Sequence, residues 1–140
     1  MRMTESEARR RLATARVARL ATVTSACTPH IVPVTFAVDG DLIYTAVDAK
    51  PKTTTALQRL RNIRANSAVA VLADQYQDDW SRLWWARADG QAAVLDEPGA
   101  MLAPLRRLVE RYPQYQESPP EGPVIVVSVH RWSGWQATLR

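Results

Sequence analysis

Only two of the 18 basic side chains in this sequence are lysines, and both fall in one short run, Lys50-Pro51-Lys52-Thr53. In a chain that otherwise uses arginine, the exception points to a local use. Lysine is a compact point charge suited to phosphate, and the threonine adds a hydroxyl donor. A helix beginning just after the run would aim free backbone N–H groups and the positive end of its dipole at the same anion. The competing reading is a solvated basic loop, which spacing alone does not separate from the first.

Other chemistries lack their parts. Cys27 is the single cysteine, which excludes an intramolecular disulfide and any zinc site built on several thiolates. It falls in a turn with no base nearby in sequence, so it reads as an incidental thiol. His30 and His130 are far apart, which leaves no metal centre expected; His30 opens a strand and reads as a structural hydrogen-bonding residue. There is no GxSxG, no GxGxxG and no Walker loop, so neither a serine hydrolase nor a nicotinamide Rossmann domain is expected. No catalytic residue is identified. Trp80, Trp84 and Trp85 form a dense group that packs in the core or a dimer seam, or walls a flat pocket. Tyr44 reads as core, and Trp132 and Trp135 as packing on the last strand. Tyr76 ends a strand, where it faces a cofactor or a partner chain.

The chain that must position these residues has 140 residues, enough for one domain with one core, here residues 1–140. Its formal net charge is +4 and its pI about 9.7, which favours anionic partners. The basic residues are scattered and no RNA-binding aromatic motif is present, so nucleic acid is not expected. No apolar run reaches membrane-spanning length, and the N-terminus has no apolar signal centre; a cytoplasmic protein is expected.

Thr4 and Glu7 have capping-box spacing, and Ala8, Leu12 and Ala15 continue an amphipathic helix. Val17–Thr24 reads as a strand, Ser25–Thr28 as a turn, and His30–Val38 as a second strand. Asp39-Gly40 is a hairpin signal, followed by a third strand, Asp41–Val47. Leu57, Leu60 and Ile63 mark a helix that ends at Asn66-Ser67, and Ala68–Ala73 reads as a buried strand. A second hairpin is expected at Asp89-Gly90, between LWWARA and QAAVL. Met101, Leu102, Leu105, Leu108 and Val109 form an apolar stripe for a third helix. A final strand runs from Val124 to His130 and on towards Gln136. Six to seven antiparallel strands with three helices suggest an α+β fold built on a small closed or split barrel.

In their order, RVARLATVTS, PHIVPVTFAVDGDLIYTAVDAKPK, RLRNI before AVAVLADQY, and DDWSRLWWARADG resemble the FMN-binding split-barrel superfamily, the group of pyridoxamine 5'-phosphate oxidase. Within it the chain is most similar to the actinobacterial branch of coenzyme F420-dependent oxidoreductases. The resemblance implies a cytoplasmic oxidoreductase that transfers hydride between F420, or alternatively FMN, and a small conjugated or quinone-like substrate. A non-catalytic flavin, deazaflavin or tetrapyrrole binder of the same fold is the other class. It places the ring along Pro33, Val34 and Thr35, with Thr45 across the hairpin, and the phosphate at Lys50, Lys52 and Thr53. The superfamily's spacing to Asn62-Ile63 makes Arg59 the matching basic residue instead, while Lys52 has the advantage of preceding the helix. Arg59, Arg61 and Arg64 would suit the acidic tail of F420. The family pattern puts glycine in the first turn, where this chain has Ala26-Cys27-Thr28. A homodimer with the cofactor at its interface is implied, with Tyr76 available to the cofactor or the partner chain.

Overall fold

The computed structural model describes residues 1–47 and 54–138. Helix α1 (Glu5–Thr14) begins with the capping box formed in both directions: Thr4 Oγ1 accepts from Glu7 N at 3.1 Å, and Glu7 Oε1 accepts from Thr4 N at 3.0 Å. There follow β1 (Ala18–Val23), β2 (Pro29–Val34), β3 (Ala37–Asp39), β4 (Leu42–Ala46), α2 (Thr54–Ala65), β5 (Ala68–Gln75) and β6 (Trp84–Leu95). Helices α3 (Pro98–Arg111) and α4 (Pro113–Glu117) precede β7 (Val124–Gln136). Among the described residues no helix is long and apolar enough to cross a membrane.

All strands join one seven-stranded sheet in the order β2-β1-β5-β6-β7-β4-β3, with every pairing antiparallel. The two edge strands, β2 and β3, are joined by Thr35 and Phe36 alone. A sheet whose opposite edges are two residues apart in sequence must fold back on itself, and that closure is the split barrel the sequence suggests. The expected strand His30–Val38 is therefore interrupted by a bend at the seam.

Three local expectations change. Asp89-Gly90 is not a hairpin: β6 runs straight through it, and the register against β7 shifts between those residues. A Cβ on Gly90 would overlap the Ser128 carbonyl, so the glycine serves the close approach at a β-bulge. The first hairpin turns on Gly40-Asp41, one residue later than expected, because Asp39 pairs with Leu42. Gly40 has φ +60°, the conformation that a type II′ turn requires at its first central position. Leu102 is 62% exposed, while Pro104 takes its place on the buried side of α3 with Met101 and Leu108. Helix α4 has no counterpart in the sequence reading. In the first turn, Cys27 adopts φ 62° at the place where the related pattern has glycine, which explains that preference.

Phe36, Leu12, Leu20, Ile43, Val71, Ile125 and Val127 fill the barrel and the layer beneath α1. A second apolar cluster joins Met101, Leu108 and Tyr112 to Ala37, Ala46 and Val124. From that cluster the junction of α3 and α4 grips the bend. Tyr112 Oη accepts from Phe36 N–H at 3.0 Å and lies 3.0 Å from the carbonyls of Phe36 and Arg16, one of which takes its proton. Arg111 donates to the Phe36 carbonyl at 2.5 Å and also to the Ala15 carbonyl. Thr35 Oγ1 and Tyr115 Oη form a 2.6 Å hydrogen bond.

Tyr112→Phe leaves buried polar groups of Phe36 short of a partner and is expected to lower the unfolding free energy by about 1–3 kcal/mol. Urea denaturation checks this; Arg111 still serves the Phe36 carbonyl but cannot accept from its N–H, so an unchanged midpoint would show that the Tyr112 hydroxyl does not stabilise the bend. Gly90→Ala is expected to cost about 1–3 kcal/mol by overpacking. Gly99→Ala, where an added Cβ meets nothing within 4 Å, serves as the neutral control.

Candidate functional site

The bend gathers most of the ring-site candidates. Pro33 pairs with Arg19 and lies exposed on the outer face of β2; Val34 pairs with Ala18 and points inward, 6% exposed. Thr35 is half-buried at the seam, its hydroxyl on Tyr115. The last β3–β4 pair is Ala37↔Tyr44, so Thr45 stands one step beyond it, level with Phe36. Its side chain faces the barrel interior: Ile43 and Val47, two residues to either side, belong to the main core, as does its β7 partner Ile125. Thr45 Oγ1 is buried with no hydrogen-bond partner. What Thr45 presents near the bend is thus backbone.

Helix α2 packs on the barrel with Leu60 and Ile63 in the main core and a polar chain beside them. Arg61 donates to Gln58 at 2.7 Å, Gln58 to Asn62 at 2.7 Å, and Asn62 Nδ2 to Thr22 Oγ1 at 3.0 Å. Asn62 and Thr22 are each 1% exposed. His30 is the cross-strand partner of Thr22, and its Nδ1 is also buried without a partner. The sequence reading missed this chain; a lone asparagine beside Leu60 and Ile63 on the core side of α2 was its only signal.

Arg59 lies in the second turn of the same helix, half-buried, with its Nε enclosed and unpartnered. Desolvation pushes its pKa down, and no carboxylate is paired with it among the described residues. A cation held out of water without a counter-charge is unfavourable unless an anion joins it. Lys50, Lys52 and Thr53 lie outside the described residues; α2 begins at Thr54, directly after them.

Tyr76 belongs to a different place. It is 63% exposed just beyond β5, which β1 separates from β2, and it borders an open cavity of about 640 Å³ on the β6–β7 ribbon, with Trp85 and Trp135. The tryptophans do not form one group. Strand alternation sends Trp84 and Trp85 to opposite faces: Trp84 packs against the core under the Arg11 guanidinium, 4.8 Å from its ring centre. Trp80 is 77% exposed. Trp132 is core, and its indole N–H donates to Asp41 at 2.9 Å. Tyr44 is core too, with its hydroxyl on Asp39; burial, then the Asp39 charge, raises its pKa. Among the described residues no three His, Cys, Asp or Glu side chains gather as a metal site would need.

No curated relative matches the sequence. Solved structures share the fold at low identity. A conserved hypothetical protein of Mycobacterium tuberculosis superposes with a TM-score of 0.76 at 22% identity, over 96% of this chain and 85% of that one. An FAD-binding protein of Mesorhizobium loti gives 0.75 at 18%, over 96% and 95%. A heme-binding protein of Mycobacterium smegmatis gives 0.76 at 19%, over 100% and 57%. The family model for pyridoxamine 5'-phosphate oxidase matches residues 4–136, nearly the whole of the barrel just described, and the chain belongs to that family.

Proposed function

We propose that the chain binds a phosphorylated flavin or deazaflavin at the β2–β3 bend and serves as an oxidoreductase, with coenzyme F420 preferred and FMN the alternative. The observation that carries this reading is Arg59, a half-buried cation with no carboxylate paired to it among the described residues, in the helix that follows the Lys50-Pro51-Lys52-Thr53 run. Family membership supports it, as does the FAD-binding protein among the structural relatives.

On this reading Arg59, Lys50, Lys52 and Thr53 hold the phosphate, and the α2 N-terminus adds backbone N–H groups. The ring lies against Pro33, Val34 and Thr35, on main chain fixed by Tyr112, Arg111 and Tyr115. When bound, such a ring supplies the hydride chemistry itself. The protein's task is to orient it and to exclude water, which needs no protein nucleophile. Arg61 and Arg64 are both exposed on α2, where an acidic cofactor tail would compete with the Arg61–Gln58 hydrogen bond and the 3.9 Å Arg64–Asp96 ion pair. A homodimer would also cover Ile31, 63% exposed beside Pro33 on the outer face of β2.

Fluorescence titration with F420 and with FMN tests the reading. Binding of at least one is expected, and binding of neither overturns it; tight FMN binding without F420 binding reverses the preference. Arg59→Gln and Lys52→Gln each remove a charge-assisted contact of about 1.5–3 kcal/mol. Each is therefore expected to weaken binding roughly ten- to a hundredfold. If reduced cofactor binds but is never oxidised across a panel of quinones and conjugated acceptors, the protein is a carrier rather than an enzyme.

A further inference from the structure

The cavity bordered by Tyr76 lies along three successive rungs of the β6–β7 ladder on one face, Trp85↔Trp135, Arg87↔Ser133 and Asp89↔Arg131, of which every residue but Asp89 lines it. Cross-strand partners share a face, so the two indoles stand side by side with cations on the rungs beyond them. The N-terminal segment forms the opposite wall. Arg2 bridges to Trp135, and Met3 N–H donates to the Gly134 carbonyl at 2.9 Å, which brings the Arg2 side chain to the rim.

The lining holds three arginines against one carboxylate, Glu5. Arg87 is engaged: its Nε donates to Asp89 at 3.2 Å, and its guanidinium lies 5.8 Å from the centre of the Trp85 ring. Arg2 and Arg131 have no ion pair among the described residues. Glu5 forms no ion pair with either among the described residues and accepts from the Trp132 backbone N–H at 3.4 Å. Ser133 also lines the cavity, and its Oγ is buried with no hydrogen-bond partner. Two indoles, two unpaired guanidinium groups and an unsatisfied hydroxyl thus converge on a space of about 640 Å³, within the range of small-molecule pockets.

We propose that this cavity is a binding site for a fused-ring aromatic anion, whose ring lies on Trp85 and Trp135 and whose anionic group is taken by Arg131 and Arg2. The indoles select a flat ring over a flexible acidic chain, because stacking requires a rigid π-face. The arginines select the charge, because their planar fork matches the oxygens of a carboxylate or similar group. That such a ligand is the substrate rests on the redox reading above; that it binds does not.

Calorimetric titration with three probes tests both halves of the claim: anthraquinone-2-carboxylate, its neutral carboxamide, and cyclohexanecarboxylate, which is anionic but not flat. In the wild-type protein the aromatic carboxylate is expected to bind at least tenfold more tightly than either of the others. In Arg131→Gln, an exposed position whose folding thermal unfolding will check, the carboxylate-to-carboxamide ratio should fall towards one; Arg2→Gln should lower it as well. Equal affinities in the wild type, or a ratio untouched by both substitutions, overturn the proposal. The same wild-type preparation is titrated with F420 and FMN. Loss of both cofactors with the anion preference intact sinks the redox reading and leaves this site standing. Cofactor binding without the anion preference does the reverse.

Discussion

The constraint on which the structure turns is that two residues, Thr35 and Phe36, must carry the chain from one edge of a seven-stranded sheet to the other. At that bend the backbone leaves both ladders, yet Phe36 is fully buried. Its N–H and C=O need partners that no strand supplies, because an unpaired buried peptide group costs as much as a lost hydrogen bond. Tyr112 and Arg111 provide them from the end of α3, and the same two side chains reach the carbonyls of Arg16 and Ala15 ahead of β1. One cluster therefore fixes the seam, the start of β1 and the docking of α3 together. The place where a flavin-type ring is proposed to lie is the most over-determined main chain in the molecule.

Helix α2 is fixed to the sheet by a different logic. Helix α2 buries Leu60 and Ile63 but also carries Gln58, Asn62 and Arg59 to the sheet. The Asn62–Thr22 bond satisfies two buried side chains and sets the helix against β1. Arg59, one turn away, has no carboxylate paired with it among the described residues. A fold that satisfies the neutral groups on a helix face and strands the charged one leaves a favourable place for an anion.

The long β6–β7 ribbon links these regions and adds a face of its own. Its bulge at Gly90 lets the two strands stay paired over nearly their whole length. Beyond the bulge the outward rungs carry tryptophan, arginine and serine, and the N-terminal segment from Met1 to Met3 lies beside them. Cavity and bend are thus held by separate elements.

Much of this was legible from local spacing. The capping box of α1, the strand β1, the extent of β7 and the presence of helix α3 depend on neighbours within a few residues and formed where their patterns lay, although Pro104 rather than Leu102 completes the buried side of α3. The resemblance in motif order foresaw the split barrel and the family. What sequence could not decide depended on contacts between distant segments. Asp89-Gly90 has the composition of a hairpin turn, but the approach of Ser128 across the ladder makes it a bulge. Trp80, Trp84 and Trp85 look like one group until a pleated strand sends two of them to opposite faces. Thr45, named for the ring site, turns its side chain into the core because Ile43 and Val47 share its face. Tyr115 and Arg131 carried no motif at all, and only the packing of α4 on the bend and the pairing of β7 with β6 gave them a place. Short-range pattern fixes which elements form; the position of a functional side chain depends on which distant backbone lies against it, and that is settled only when the sheet closes.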